Sequence, residues 1–377
     1  MPYWRLSAFY FFYFSLIGVL APYWGLYLQS IGFDAIAIGQ LMALLMVSRT
    51  VAPLLWGWMA DQRSHRMQVV RLTSAVAWII FIGIFFTTDY GWVALLMLGS
   101  SFFWNAALPM LDVTTMNHVG NHPGAYGRVR LWGSLGFIAA VLIVGQLIDI
   151  RGPAGVPWAF FVILFVIWIC SLWLPDRAAT LIVDRSLSFR RVLLRPEVIA
   201  FLATCTLMQL SHGPYNTFYS IYLAEHGHNK ALIGALWAFG VVCEIAIFLV
   251  LSRLLARFDE RTVLLVSALL AALRWILIGW FPGHLGVLVF AQSLHAASFG
   301  AFHAIAMQLV HRFFTGHHQH RGQALYGSVT FGVGGIVGSF VSGYAWSELG
   351  PMTTFIGAAA IALMSFAAAF VGLRPRS

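Results

Sequence analysis

Apolar stretches of about 20 residues recur along the whole chain, and this feature limits the fold more than any other. A helix of that length can cross a hydrocarbon core roughly 30 Å thick. Hydrophobic residues make up 60% of the 377 residues and charged residues only 9%, whereas soluble domains contain about a quarter charged residues. The sequence therefore predicts an all-α membrane protein and excludes a soluble fold.

The apolar stretches predict twelve transmembrane helices. They cover residues 6–28, 35–60, 70–88, 92–116, 129–148, 156–174, 198–223, 232–255, 263–281, 285–313, 324–346 and 352–373. Because further spans follow the first one at once, we interpret it as a retained helix and not as a cleaved signal peptide. The hydrophilic segment between the sixth and seventh spans predicts three parts. These are an N-terminal six-helix bundle (1–174), a cytoplasmic linker (175–196) and a C-terminal six-helix bundle (197–377).

Basic residues are distributed unequally over the loops of this topology. Twelve crossings place both termini on one face, and among the basic residues outside the spans only Arg151 and Lys230 fall on the other face. The positive-inside rule makes the basic face cytoplasmic, so we expect a multi-pass protein of the bacterial inner membrane with both termini in the cytoplasm. The net charge of +9 therefore reflects topology and does not indicate a nucleic-acid-binding patch.

The two halves carry a weak internal repeat. Ala-Pro-Tyr at 21–23 corresponds to Gly-Pro-Tyr at 213–215, and each half later has Ile-Gly followed by an intramembrane charge, Arg49 or Glu244. Two parallel six-helix repeats are typical of major facilitator transporters, in which substrate binds near the membrane midplane. The chain resembles this superfamily, which implies two six-helix bundles and alternating access.

The loop after the second predicted helix also resembles a superfamily motif. Its residues are Gly57, Asp61, Arg63 and Arg66. A degraded copy after the eighth helix consists of Arg253, Asp259, Glu260 and Arg261. The resemblance implies a cytoplasmic gate of charge pairs, formed by Gly57, Asp61, Arg63, Arg66 and Asp259. The alternative is a solvated turn that merely follows the positive-inside rule.

A few ionisable residues lie within or beside the predicted spans. A charge at a helix centre costs about 2.5–3.5 kcal/mol, so each needs a partner, a water-filled cavity or a function. The candidates are Arg49, Asp112, Arg130, Glu244, Arg274, His212, His295 and His303.

Some of these candidates resemble the lactose permease arrangement. Asp112 in Pro-Met-Leu-Asp, followed by Arg130, is similar to a carboxylate and an arginine that form part of that family's substrate site. Arg274 and His295 correspond to its proton-coupling arginine and histidine. The chain departs from the family at Ser298, where the permease has a glutamate, and this departure leaves the proton carrier and the galactoside substrate open.

The chain resembles the phenylpropionate permease family along nearly its full length. The segments that carry the resemblance are residues 126–133, 240–244, 274–275 and 295–307. The resemblance implies proton-linked uptake of a small aromatic carboxylate.

The balance of intramembrane charges also favours an anionic substrate, independently of the resemblance. Three arginines against two carboxylates leave excess positive charge, and a guanidinium can bind a substrate carboxylate through two hydrogen bonds. For proton coupling we expect Glu244 first and Asp112 second, with Arg274 beside them and His295 as a relay, because histidine titrates near neutral pH. The alternative is that Glu244 with Arg274, and Asp112 with Arg130, simply neutralise each other, while His212 and His303 only pack.

Aromatic and amide side chains complete the predicted substrate site. Most aromatic residues in such a chain are expected to face lipid. Besides Arg49, Asp112, Arg130 and His303, the substrate-binding candidates are Tyr23, Tyr27, Trp104, Asn105, Tyr215 and Asn216.

Several other classes of function lack their sequence signals. The single lysine, Lys230, follows asparagine, so there is no phosphate-binding loop for ATP, and neither His-Glu-x-x-His nor Gly-x-Ser-x-Gly occurs. The histidines at 317, 318 and 320 lack carboxylate or cysteine ligands, and we expect no metal and no cofactor apart from coupling protons. We expect a monomer that binds an organic anion and is not an enzyme. Sugar or nucleoside symport, efflux of hydrophobic compounds, a membrane enzyme and a transporter-like sensor remain as alternatives.

Overall fold

The computed structural model describes residues 2–61, 66–119, 124–175, 189–315 and 318–373. For Trp58, Ala60, Asp61 and His320 it describes the backbone only. The regular structure in these ranges is entirely helical. Contacts divide the chain into two compact units, Met1–Ile182 with Asn229–Ala235, and Val183–His228 with Leu236–Ser377.

In its described residues, the first unit contains seven α-helices and one short 3₁₀ helix, Ile82–Phe86. The α-helices are α1 (Tyr3–Ser30), α2 (Ala35–Asp61), α3 (Arg66–Phe81), α4 (Tyr90–Trp104), α5 (Ala107–Val119), α6 (Ala125–Arg151) and α7 (Gly155–Leu172).

The second unit contains the remaining helices, although the first turns of α11 belong to the first unit. They are α8 (Phe189–Leu193), α9 (Pro196–Ser211), α10 (Gly213–Glu225), α11 (Lys230–Leu255), α12 (Glu260–Trp280), α13 (Leu285–Ser293), α14 (Phe302–Phe313), α15 (His318–Tyr326), α16 (Gly335–Leu349) and α17 (Pro351–Gly372). Two π-helical stretches, Ala296–Ala301 and Gly327–Gly334, interrupt the helices of this unit.

Eleven helical stretches in the described ranges are long and apolar enough to cross a membrane. The predicted span 198–223 is different, because α9 ends at Ser211 and α10 begins at Gly213. Pro214 has no amide hydrogen to donate and breaks the helix here, while the His212 carbonyl still accepts a hydrogen bond from the amide of Asn216 at 2.9 Å. The described residues confirm the predicted all-α architecture, with helices long and apolar enough to cross a membrane.

Close contact between α1 and α6 holds the first unit together. The Ser15 hydroxyl donates to the Gly136 carbonyl at 3.0 Å, and a Cβ atom at position 136 would collide with the backbone of Phe11. Small residues allow this approach, which transmembrane helices need because lipid supplies no hydrophobic driving force between them.

The beginning of α11 is attached to the end of α6. The two carboxylate oxygens of Asp149 accept hydrogen bonds from the amides of Lys230 and Ala231 at 2.9 and 2.8 Å. The Tyr23 hydroxyl donates to the Val141 carbonyl at 2.5 Å and lies 3.4 Å from the Lys230 carbonyl oxygen. These contacts satisfy two amides that a helix leaves free at its start, which explains why residues 229–235 group with the first unit.

Replacing Gly136 with leucine should destabilise the protein by roughly 1–3 kcal/mol, because the added side chain forces the α1 backbone away. Thermal unfolding in detergent measures the effect. Gly127→Leu on the same helix is the matched control, since a Cβ atom there meets nothing within 4 Å. Equal melting temperatures for both variants would contradict the packing described for α1 and α6.

Asp149→Ala should weaken the start of α11 by about 1 kcal/mol, as loss of a helix cap does. Amide hydrogen exchange at Lys230 and Ala231 should become faster. Asp149→Asn keeps one acceptor oxygen and should have a smaller effect. If exchange at these two amides is unchanged in Asp149→Ala, the carboxylate does not hold the helix.

Candidate functional site

The Asp112 carboxylate in the first unit is held by two tyrosines. The hydroxyls of Tyr10 on α1 and Tyr126 on α6 both donate to Asp112 Oδ1, the latter at 3.1 Å. Tyr10 also lies 3.4 Å from the Thr115 hydroxyl, one turn further along α5. A charge-assisted hydrogen bond stabilises an ionised carboxylate, so these tyrosines favour the charged form of Asp112 without a direct arginine partner.

Arg130 lies against aromatic faces in the same region. Its guanidinium carbon is 3.8 Å from the centre of the Phe14 ring and 5.7 Å from that of Tyr10. Arg130 interacts electrostatically with Asp112, but the hydrogen bonds to the carboxylate come from the tyrosines. We call Tyr10, Phe14, Asp112, Tyr126 and Arg130 the Asp112 cluster. The rings contact the flat face of the Arg130 guanidinium, so the N–H groups at its edge can donate to a ligand.

Two further predicted residues lie close to the Asp112 cluster. Arg49 is exposed and interacts electrostatically with Tyr13 and Arg130. The Tyr13 ring is 4.9 Å from the ring of Trp104. The first unit therefore brings together Arg49, Trp104, Asp112 and Arg130, although their roles stay predictions.

The other candidates of the first unit form hydrogen bonds with backbone carbonyls or pack against neighbouring rings. Tyr23 donates to the Val141 carbonyl, as described above. Tyr27 is buried, with its ring 5.1 Å from that of Trp24. Asn105 is buried after the end of α4, and its amide donates to the Ser101 carbonyl at 2.8 Å. These contacts account for the three residues structurally, and nothing in them points to substrate.

Arg274 in the second unit is completely buried, with 0% of its surface exposed. Its Nη2 donates to Gln292 Oε1 at 2.7 Å, and its Nη1 lies 3.0 Å from His295 Nδ1 and 3.3 Å from Ser298 Oγ. Its guanidinium carbon is 4.2 Å from the centre of the Tyr215 ring. Neutral acceptors and an aromatic face together stabilise a charge that would be very unfavourable alone.

The contact with Arg274 determines which ring nitrogen of His295 carries the proton. Arginine only donates, so His295 Nδ1 must accept, and the proton of the neutral ring is then on Nε2. Nε2 lies 3.6 Å from Glu244 Oε2. His295 thus stands between the guanidinium and the carboxylate. We call Glu244, Arg274, Gln292, His295 and Ser298 the Arg274 cluster.

Tyr215 joins this cluster through Gln292, whose side-chain nitrogen donates to the Tyr215 hydroxyl at 3.2 Å. Its ring also lies 4.6 Å from that of Trp237. Asn216, the next residue, is half-buried, and its described contact is the backbone hydrogen bond to His212. His303 Nδ1 lies 3.1 Å from the Tyr326 hydroxyl. Of these three candidates, only Tyr215 contacts the Arg274 cluster.

The predicted cytoplasmic gate is only partly described. Gly57 lies within α2 and Arg66 begins α3, whereas Arg63 and the side chain of Asp61 lie outside the described residues. Asp259 caps α12 by accepting from the amide of Thr262 at 3.0 Å. The gate stays a prediction.

The histidine run is described only at His318, which is buried, because His317 and the side chain of His320 fall outside the described residues. The described residues contain no cluster of three or more potential metal-ligating side chains.

Sequence reasoning missed Tyr10, Phe14, Tyr126 and Gln292. Helical spacing could have identified two of them: Tyr126 and Arg130 are four residues apart, and Gln292 and His295 are three apart, so each pair shares a helix face. Gln292 is also fully buried within an apolar segment, where an uncharged polar side chain needs a partner.

Comparison with known proteins places the chain among membrane transporters. A curated relative from Escherichia coli (strain K12), named "Probable 3-phenylpropionic acid transporter", is 27% identical over 98% of this chain and 97% of the relative. "Maltose permease" from Geobacillus stearothermophilus is 30% identical over 89% of this chain and 86% of its own length. The crystal structure of the nucleoside transporter NupG matches with a TM-score of 0.85. At 18% identity over 100% of this chain and 100% of that one, it supports the fold alone.

The profile of the MFS_1 like family matches residues 3–357, which is nearly the whole chain. Together with the helical architecture and the two clusters of charged side chains, this match shows that the chain belongs to the MFS_1 like family of major facilitator secondary transporters.

Proposed function

We propose that this multi-pass secondary transporter takes up a small aromatic carboxylate together with protons. The proposal also includes a bacterial inner-membrane location, cytoplasmic termini and activity as a monomer. Its main support is the position of Arg130, whose guanidinium carbon lies 3.8 Å from the centre of the Phe14 ring while tyrosine hydroxyls bind the neighbouring carboxylate.

This position suits a ligand with a negative charge. Because Tyr10 and Tyr126 already stabilise Asp112, the donors of Arg130 can serve a substrate carboxylate in the planar, two-bond geometry that guanidinium favours. Arg49 adds a second positive charge nearby. A neutral sugar or nucleoside needs no such excess of cations.

The relatives support the same choice of substrate without deciding it. The E. coli relative is named for 3-phenylpropionic acid and aligns over 98% of this chain. The maltose permease and the nucleoside transporter make sugars and nucleosides the rival substrates. An excess of intramembrane arginine favours the organic acid.

The Arg274 cluster supports proton coupling. Because Arg274 occupies Nδ1 of His295, the ring proton is on Nε2, the nitrogen that faces Glu244 Oε2. His295 can therefore orient the Glu244 carboxylate, and Glu244 itself binds and releases the coupling proton while Arg274 stays charged. Asp112, which is bound by two tyrosines, is the second candidate for the coupling group.

Protein reconstituted in liposomes should accumulate 3-phenylpropionate when an inward proton gradient is imposed. The double variant Glu244→Gln with Asp112→Asn should lower this accumulation by about tenfold or more, because neither candidate carboxylate can then bind the proton. Glu348→Gln, which changes an exposed carboxylate near the end of α16, is the control.

Unchanged accumulation in the double variant would contradict the coupling assignment. Maltose and uridine in the same liposomes test the substrate. Gradient-driven uptake of either one without uptake of the acid would exclude the carboxylate proposal.

Arg130→Gln should raise the KM for the acid by at least about tenfold, the usual effect of losing a hydrogen bond between charged groups. Arg130→Lys keeps the charge but loses the planar fork, so its KM should be intermediate. The matched control is Arg128→Gln, an exposed position on the same helix. Equal KM values in Arg130→Gln and the wild type would show that Arg130 does not bind the acid.

A further inference from the structure

The second unit contains a small cavity whose wall includes several polar side chains. Its volume is about 20 Å³. The end of α9, both π-helical stretches, and parts of α14 and α15 form its walls. A space of roughly 10–15 Å³ is enough for a single water-sized group, so the cavity can take one hydroxyl but not a whole ring.

Two polar atoms in the cavity wall have no hydrogen-bond partner within the described part of the chain. They are Nε2 of His212 and Oγ1 of Thr330, and both residues are only 3% exposed. His212 Nδ1 lies 2.8 Å from the Met208 carbonyl and must donate to it, so Nε2 of the neutral ring is an acceptor. Leaving such buried groups unpaired is energetically unfavourable. The cavity is therefore suited to a group that donates a hydrogen bond.

A third polar group links the cavity to the Arg274 cluster. Ser298 lines the cavity, and its oxygen accepts from Arg274 Nη1 at 3.3 Å. Its own hydroxyl hydrogen is then available to a ligand oxygen. A hydroxyl group in the cavity could donate to His212 Nε2 and accept from Ser298 or Thr330, which satisfies its donor and at least one of its two lone pairs.

The outer part of the cavity is aromatic and less buried than its interior. Phe299, His303 and Phe331 are half-buried, whereas His212, Ser298 and Thr330 are buried. The Phe299 and His303 rings are stacked with centres 6.1 Å apart, and the Phe331 ring lies edge-on to His303 at 5.7 Å. Such rings provide a surface for another aromatic ring.

Backbone irregularities converge on this place. Ser298 and Thr330 lie in the two π-helical stretches, and His212 lies at the break between α9 and α10. π-Helical turns occur frequently at functional sites, because they shift side chains out of the regular helical register. In this protein the two π-helical stretches and the break between α9 and α10 bring three polar side chains into one cavity.

We propose that this cavity is a subsite for a phenolic hydroxyl, so that the transported acid carries a hydroxyl group on its ring. The ring lies at Phe299 and Phe331, and its hydroxyl donates to His212 Nε2. This inference rests on the proposed transport of an aromatic carboxylate and narrows the substrate class to hydroxylated aromatic acids.

Binding of two kinds of acid to the detergent-solubilised full chain tests the subsite. The probes are 3-phenylpropionate and its 2-, 3- and 4-hydroxyphenyl analogues, and the measured quantity is the ratio of their Kd values. The wild type should bind at least one hydroxylated analogue about tenfold more tightly, because a site built for a hydroxyl discriminates against its absence. Each of Thr330→Val and His212→Phe should remove most of this preference.

The controls separate recognition from general damage. Thr330→Ser restores the hydroxyl and should restore the preference. Thr204→Val changes a buried threonine that already donates to the Ala200 carbonyl at 2.8 Å, and it should leave the ratio unchanged. Because the ratio compares two ligands on one protein, a partly unfolded variant lowers both signals equally.

The remaining outcomes overturn the inference. If the wild type binds all four acids equally, or if its preference survives both Thr330→Val and His212→Phe, the cavity holds an internal water only. If none of the acids binds the wild type, the proposed function fails as well, and this result is distinguishable from equal binding of all four.

Discussion

The buried charge of Arg274 is the constraint on which the second unit depends. A guanidinium without solvent must be matched by acceptors and polarisable rings, and Gln292, His295, Ser298 and Tyr215 supply them. Each partner is fixed in turn by the donors it meets. The tautomer of His295, the orientation of Gln292 and the free hydrogen of Ser298 all result from one side chain that can only donate.

The first unit stabilises its charged side chains in a different way. Its carboxylate, Asp112, receives hydrogen bonds from neutral tyrosines, and its arginine, Arg130, lies on aromatic rings. Opposite charges that are stabilised separately do not have to be separated before a ligand can bind. Where two charges form a tight pair, a ligand must first replace one partner, and much of its binding energy is lost in doing so.

The sequence predicted the parts of this protein that depend on transfer from water to lipid. Hydropathy located the spans, and the high cost of intramembrane charge identified Asp112, Arg130, Glu244, Arg274 and His295. Which of these side chains contact each other was harder to predict, since the contacts depend on helix rotation and on irregular turns. Glu244 and Arg274, which the alternative interpretation paired directly, are bridged by His295, and the span 198–223 breaks at His212. Sequence analysis did not select Tyr10 and Gln292 as site residues, because they carry no charge.

The π-helical stretches have a consequence for the geometry of the helices that contain them. A turn of this kind holds more residues than an α-helical turn, so residues four apart come close to a single line along the helix. Across Ala296–Ala301 the rings of His295, Phe299 and His303 accordingly stack in one row, with neighbouring centres 5.2 and 6.1 Å apart. This row extends from the contact of His295 with Arg274 to the contact of His303 with Tyr326.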